Sequence, residues 1–463
     1  MNYNKEVVML AVTEFKISKL FGKNDIALKF RDNMLILVGE NGSGKTTILR
    51  IMYLFLSGRW TALLKYDFEN ISVSFADASE VSLEKREIGN LLKNLMKDSR
   101  FLHRFPPHIR HRYFELFEED IEFSNLFGEK NKEKIPVDYF LHRLPPDFAF
   151  QLQSKELEVL QKALDKTAIL YLPTYRRIEK ELSAIFRGVD ADELRNKGNF
   201  RDIDISTQGI CSYEKKEFGM HDITSSIEHV SNELNRFAVD ELNQLTLHYL
   251  SDVLEQKYKE VNVSVIKNAP QESIDNIWKR IDSNILSKSS LKKLSDTIND
   301  IRNEKHAKTK LDEHESVICH YFTKLLDFQK ELDKKEERIK NFCKICNAYL
   351  IGKKFYYDSA SFKAYIQYEN RKDQSFDLEY LSSGEKQIVS LFGNLYLATD
   401  DNFFIMIDEP ELSLSVPWQK RFLVDIHNAN FCEGIVAVTH SPFIFENELE
   451  PYVHGVGEFL HEC

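Results

Sequence analysis

The chain has no apolar run approaching the roughly 18–20 residues that span a bilayer, so no membrane-spanning helix is expected. Its opening, Met1-Asn2-Tyr3-Asn4-Lys5-Glu6, lacks the blocks of a secretory leader. Cysteine is scarce: six among 463 residues make no disulfide framework, and a reducing cytoplasm is expected. Cys343-Lys344-Ile345-Cys346 is a lone C-x-x-C inside a helical pattern, and packing explains it better than metal or redox chemistry. Positive charge is in deficit. A net charge of −11 argues against indiscriminate nucleic-acid binding, though not against a local patch. The densest cationic and aromatic stretch, His103 to Tyr113, reads as a solvated loop and helix face, with a grip on phosphates or an acidic protein as the alternative. Internal repeats and low-complexity tracts are missing too. With 43% hydrophobic and 29% charged residues, the chain can bury one large core and a subsidiary region.

The most informative segment is Gly39-Glu40-Asn41-Gly42-Ser43-Gly44-Lys45-Thr46. Leu35-Ile36-Leu37-Val38 precedes it as a buried strand should, and Ile48 to Met52 follows as a helix face should. A chance glycine-rich turn would lack that context. The glycines let successive backbone N–H groups point at phosphate oxygens, and the helix N-terminus adds partial positive charge. Lys45 can reach the β- and γ-phosphates, and the Thr46 hydroxyl can ligate Mg²⁺.

Near the other end, Phe403 to Ile407 is a continuous apolar strand that delivers Asp408-Glu409-Pro410-Glu411. Asp408 suits a Mg²⁺ ligand and Glu409 a group that polarises the attacking water. A second apolar strand, Gly434 to Val438, ends in Thr439-His440-Ser441, which puts His440 within possible reach of a γ-phosphate. Between these motifs, Leu381-Ser382-Ser383-Gly384-Glu385-Lys386-Gln387 opens the helix that runs to Leu397. Serine hydroxyls and unpaired N–H groups there form a second anion site. One nucleotide does not need two γ-phosphate sites on one chain, so this helix end is expected to contact ATP held by another subunit.

These motifs together resemble an ABC-type ATPase of the SMC, Rad50-like and OLD-like kind. Gly39–Thr46 is similar to the Walker A loop, Leu381–Gln387 to the signature, Phe404–Glu409 to Walker B, Glu411–Leu414 to the D-loop and His440 to the switch histidine. More narrowly, Tyr171 to Glu179, Asp408 to Leu414 and Trp418-Gln419 resemble prokaryotic anti-phage ATPases, most of all the AriA family of PARIS systems, with the PtuA family of Septu as neighbour. The resemblance implies Glu409, His440 and Lys45 as catalytic residues and Thr46 and Asp408 as metal ligands. It implies nucleotide contacts from Gly39, Asn41, Gly42, Ser43, Gly44, Lys45, Thr46 and Thr47. Ser382, Ser383, Gly384, Glu385 and Ser413 would join them. Its cofactors would be ATP and Mg²⁺. Its partners would be further copies of itself, a separate AriB-like effector nuclease and a phage-encoded trigger protein.

The expected fold is α/β: an ABC-type phosphate-loop ATPase head with helical insertions and a short helical or coiled-coil arm. Residues 1–56 would form the first part of the head, opening with strands over Val7–Ile17 and Asp25–Phe30. Residues 57–165 would be a mostly helical insertion, 166–221 the head resumed, 222–350 a helical or coiled-coil region, and 351–463 the last part of the head. Apolar residues from Val317 to Tyr349 recur at spacings near three and four, the mark of an amphipathic helix. No constellation for a second chemistry stands out, so the chain reads as an ATPase without its own effector. A DNA-clamping repair or maintenance ATPase is the alternative, disfavoured by the acidic balance and the short arm.

Overall fold

The computed structural model describes residues 11–89, 155–164, 167–173, 203–204, 212–214, 220–281, 288–303, 311–397 and 402–462. The chain divides into two compact units. One comprises Met1–Glu217 with Asp400–Cys463, and the other Phe218–Thr399.

The first unit begins with strands β1 (Val12–Leu20), β2 (Asn24–Lys29) and β3 (Met34–Val38), then helix α1 (Lys45–Leu56). Strands β4 (Asn70–Phe75) and β5 (Glu80–Glu84), helix α2 (Lys155–Leu164), and strands β6 (Thr167–Leu172), β7 (Ile203–Asp204) and β8 (Ser212–Glu214) follow. The chain then enters the second unit. Helices α3 (Met220–Leu254) and α7 (Glu313–Asn347) bracket α4 (Val263–Lys267), α5 (Gln271–Ile281) and α6 (Lys288–Arg302). Strands β9 (Lys353–Asp358), β10 (Lys363–Tyr368) and β11 (Arg371–Ser375) lead to α8 (Ser383–Leu397). Back in the first unit come β12 (Asn402–Asp408), α9 (Val416–His427), β13 (Cys432–Thr439), β14 (Val453–Gly455) and β15 (Leu460–Glu462).

Two sheets build the first unit. A five-stranded antiparallel sheet runs β15-β2-β1-β4-β5, and a seven-stranded sheet runs β14-β3-β13-β12-β6-β8-β7. The second is parallel apart from its β7–β8 edge. Its central strands are continuous apolar runs because both faces are covered. Helix α1 buries Ile48, Leu49, Ile51, Met52 and Phe55 in the same core as Phe15, Phe404 and Val436. Buried Asn33 fastens the strands at that core. Its Oδ1 accepts from Val12 N–H at 2.8 Å, its Nδ2 donates to the Glu433 carbonyl at 3.1 Å, and its own carbonyl accepts from Ile435 N–H at 3.0 Å.

Part of the expected helical insertion is sheet. Apolar Ile71, Val73 and Phe75 alternate with serines along β4 and are buried, Val81 and Leu83 are buried alternately in β5, and β4 pairs with β1. The period-two pattern is present in the sequence, but only five or six residues long and set among charged turns, so helix-rich neighbours obscured it. The cationic stretch from His103 to Tyr113 and residues 174–179 lie outside the described residues.

In the second unit α3 and α7 are antiparallel. Tyr249 Oη donates to the Val317 carbonyl at 3.3 Å and Tyr258 Oη to Glu313 at 2.6 Å. At 35 residues each they are about 50 Å long. Asp312 and Glu315 start α7 with a reciprocal cap, and Phe322, Leu325, Leu326, Leu332, Ile339 and Phe342 form its buried stripe. Cys343 and Cys346 belong to that packing, and burial pushes the Cys343 thiol up to about 12. The sequence reading takes residues 351–463 as one part of the head; within that span the hairpin β9–β10 and α8 pack with these helices.

Close packing at β13 has a consequence. A Cβ on Gly434 would sit 2.7 Å from the Asn33 carbonyl oxygen and 2.7 Å from the Phe404 ring, neither of which can move cheaply. Gly434→Ala is expected to destabilise the protein by about 1–3 kcal/mol in urea unfolding. Gly457→Ala, with nothing within 4 Å, is expected to unfold as the parent does. Equal midpoints for the two variants would contradict this packing.

Candidate nucleotide site

Parallel pairing fixes what meets at the edge of the large sheet. Val38 lies beside Thr439, and Asp408 beside Val438. The phosphate-loop segment after β3, the acidic end of β12 and the histidine after β13 therefore share the carboxyl edge, where open α/β sheets bind ligands.

The loop from Gly39 to Gly44 is shaped by left-handed backbone at Gly42 (φ 84°) and Gly44 (φ 89°), which only glycine adopts without strain. Gly44 is the N-cap of α1 and no side chain caps that helix. The first-turn N–H groups are thus left to serve an anion. Lys45 lies beneath the loop, 5% exposed. Its ammonium donates to the Gly39 and Glu40 carbonyls, both at 2.8 Å, and to Ser43 Oγ at 3.3 Å. Burial lowers its pKa, against the pull of Glu409, Asp408 and Glu411. Asn41 is exposed at the loop crest and Thr47 half-buried in the first turn.

Thr46 Oγ1 donates to Asp408 Oδ1 at 3.0 Å. That bond joins the phosphate loop to β12 and sets two oxygen ligands side by side, a donor pair that suits a hard cation such as Mg²⁺. Asp408 is 2% exposed. Glu409 is half-buried with φ 52°, and its N–H donates to the Val438 carbonyl at 2.8 Å. Burial first, then the charges of Asp408 and Glu411, raises the Glu409 carboxyl above its ordinary value. A carboxylate made more basic in this way fits a water-orienting role. His440 stands exposed at the end of β13.

Glu411, which the sequence marks only as the first residue of the D-loop-like segment, reaches across to the end of β13. Its Oε2 accepts from Thr439 Oγ1 at 2.7 Å and its Oε1 from His440 N–H at 2.8 Å. The sequence shows the carboxylate, but its partners lie 28 and 29 residues away. Ser413, on the same turn, is exposed with φ 65°.

The second anion motif belongs to the other unit. Ser382 and Ser383 are exposed at the start of α8, while Gly384 and Glu385 are buried. Glu385 differs from the expectation of a nucleotide contact. Its two oxygens lie 2.9 and 2.8 Å from Lys353 Nζ, and it accepts from Ser382 N–H at 2.8 Å. Ser382 Oγ accepts from Glu385 N–H at 3.4 Å in return. The carboxylate is consumed in holding the helix start, a reciprocal cap that leaves the hydroxyl of Ser383 outward.

A family profile described as AAA ATPase domain matches residues 21–445. The chain belongs to this AAA ATPase domain family. It is therefore an ATPase. No curated protein sequence matches it. Among solved structures it is similar to the Smc head domain with an extended coiled coil bound to the C-terminal domain of ScpA, derived from Pyrococcus furiosus. That pair shares 12% identity over 96% of this chain and 93% of the other, with a TM-score of 0.33. The Smc head domain with a coiled coil and joint from Pyrococcus yayanosii shares 13% identity over 96% and 94%, with a TM-score of 0.29.

For this ATPase, Lys45→Ala is expected to weaken ATP binding about a hundredfold or more, because the phosphates lose their fixed counter-charge. Calorimetric titration with ATP checks it, and parental affinity would remove Lys45 from the site. Glu409→Gln is expected to keep ATP binding and slow hydrolysis by roughly 10²–10⁴-fold, since an amide is a poor base. An unchanged single-turnover rate would exclude Glu409 from the chemistry.

Proposed function

We propose that this protein is an ABC-type ATPase of the SMC and Rad50-like kind that works as sensor and scaffold in an anti-phage defence complex. ATP is held between the Lys45 loop of one subunit and the Ser383-Gly384 helix start of another, and its hydrolysis controls a separate effector nuclease. The observation that carries the shared site is the pair of exposed serines, Ser382 and Ser383, on a helix start already stabilised from within by Glu385 and Lys353. Because the internal cap is supplied by Glu385, the Ser383 hydroxyl is left over for a ligand. The defence role draws its support from the likeness of Tyr171 to Glu179, Asp408 to Leu414 and Trp418-Gln419 to the AriA family.

In this reading Lys45 and the loop N–H groups bind the β- and γ-phosphates. Thr46 and Asp408 would hold Mg²⁺, which when bound neutralises phosphate charge. Glu409 orients water and draws its proton, and His440 steadies the γ-phosphate from the neighbouring strand end. The geometry supports these roles by gathering the residues at one sheet edge and raising the basicity of Glu409.

Ser383→Arg should leave ATP bound at the Lys45 loop yet stop turnover. Mixed with Lys45→Ala subunits, it should regain part of the hydrolysis, because each mixed pair rebuilds one intact site. A dead mixture, with hetero-oligomers shown by native mass spectrometry, would sink the shared site. For the defence role, the tagged chain is purified from its native host and its co-purifying proteins identified. A bound nuclease supports the reading, and DNA-stimulated, salt-sensitive hydrolysis without one supports the DNA-clamping alternative. The purified chain alone, given Mg²⁺ or Mn²⁺, ATP and DNA or RNA, is expected to cut neither. Cleavage that disappears when residues of this chain are changed would overturn the scaffold role.

A further inference from the structure

After β12 the backbone turns sharply. Glu409 has φ 52°, Leu412 N–H donates to the Glu409 carbonyl at 3.3 Å and Leu414 N–H to the Glu411 carbonyl at 3.1 Å. This turn carries Glu411 over the end of β13. There one carboxylate oxygen accepts the Thr439 hydroxyl at 2.7 Å and the other the His440 N–H at 2.8 Å. Thr439 Oγ1 accepts in turn from Ser441 N–H at 3.0 Å. Ser441 Oγ donates to Gln419 Oε1 at 2.6 Å, and Gln419 Nε2 donates to the Leu414 carbonyl at 2.9 Å. The circuit closes on the turn where it began. Two loops that follow different strands are thereby one body, with His440 at its centre, its N–H fixed and its side chain exposed.

A carboxylate placed merely to solvate a strand end would keep an oxygen for water. Glu411 instead spends both oxygens on one corner, and the corner bears the histidine. Charge-assisted hydrogen bonds are the short, directional kind that hold a position rather than only tolerate it. We propose that Glu411 is the positioning residue that holds His440 where it meets the γ-phosphate. This rests on the reading of His440 as a phosphate-contacting group. Among the described residues the Glu411 carboxylate is hydrogen-bonded to the end of β13 and reaches Lys45 only through its charge, so it acts on turnover more than on nucleotide capture. Glutamine at 411 can preserve the geometry: its carbonyl accepts from His440 N–H and its amide donates to Thr439 Oγ1.

The test is steady-state ATP hydrolysis by the full chain carrying Glu411→Ala, Glu411→Gln, His440→Ala, or Glu411→Ala with His440→Ala, each checked for unchanged thermal unfolding. Glu411→Ala is expected to lower kcat about 10–100-fold with KM for ATP within about twofold, the scale of a misplaced group near the chemistry. Glu411→Gln should recover most of that loss. The double variant should be no slower than His440→Ala alone, because Glu411 acts through the histidine. An equal loss from Glu411→Ala in both backgrounds, or a raised KM with unchanged kcat, overturns the proposal while leaving His440 in its role. A parental rate for His440→Ala overturns the reading of the histidine and the proposal with it. If Glu411→Ala fails to fold, Thr439→Val removes one of the two bonds and replaces it in the same cycle, with the same overturning result.

Discussion

Val38 lies beside Thr439 and Val438 beside Asp408 because β3, β13 and β12 run parallel in this register. Every feature of the site depends on that pairing. Parallel strands put all their carboxyl ends on one edge, so a loop from residue 39 and an acid at 408 meet although hundreds of residues separate them. The Thr46–Asp408 hydrogen bond is the local expression of the pairing. A shift of one residue in β12 would turn Asp408 to the other face of the sheet and abolish the bond. The buried run Phe404–Ile407 prevents that shift only in combination with its neighbours, since all four side chains are apolar and either face would accept them. Asn33 and Gly434 supply what the apolar pattern cannot, by pinning β3 to β13 through one side chain and one close approach.

The charges at the site are arranged by the same edge. Three carboxylates, Asp408, Glu409 and Glu411, lie within electrostatic reach of Lys45. They avoid equivalence through different partners. Asp408 is buried and engaged by Thr46, Glu411 is engaged at both oxygens by the end of β13, and Glu409 is left more basic by burial and by the other two. Divergent environments give adjacent carboxylates of one sequence run different basicities and different partners. The second unit solves the corresponding problem at α8, where Lys353 neutralises Glu385 and leaves the exposed serines to the helix start.

Much of this was legible in the residues. Gly39–Thr46 does lie between a strand and a helix, Asp408 ends β12 and His440 follows β13, because each is a local pattern with a local physical cause. The amphipathic spacing from Val317 to Tyr349 likewise marked α7. Strands β4 and β5 were missed because five or six alternating residues carry little periodic signal beside long charged stretches. Glu385 reads from its motif as a nucleotide contact, and its partner Lys353 lies 32 residues away in the chain.

The sequence by itself determined the family's ATPase character and much of which segments form helix or strand. Local backbone preference and hydrophobic period suffice for the latter. Only the tertiary structure decided which polar groups find each other across the chain: Thr46 with Asp408, Glu411 with Thr439 and His440, Lys353 with Glu385. Such pairings depend on strand order and register, which are settled by packing over the whole core. A carboxylate carries no mark in its own neighbourhood of whether it will face water, a metal or a distant backbone amide.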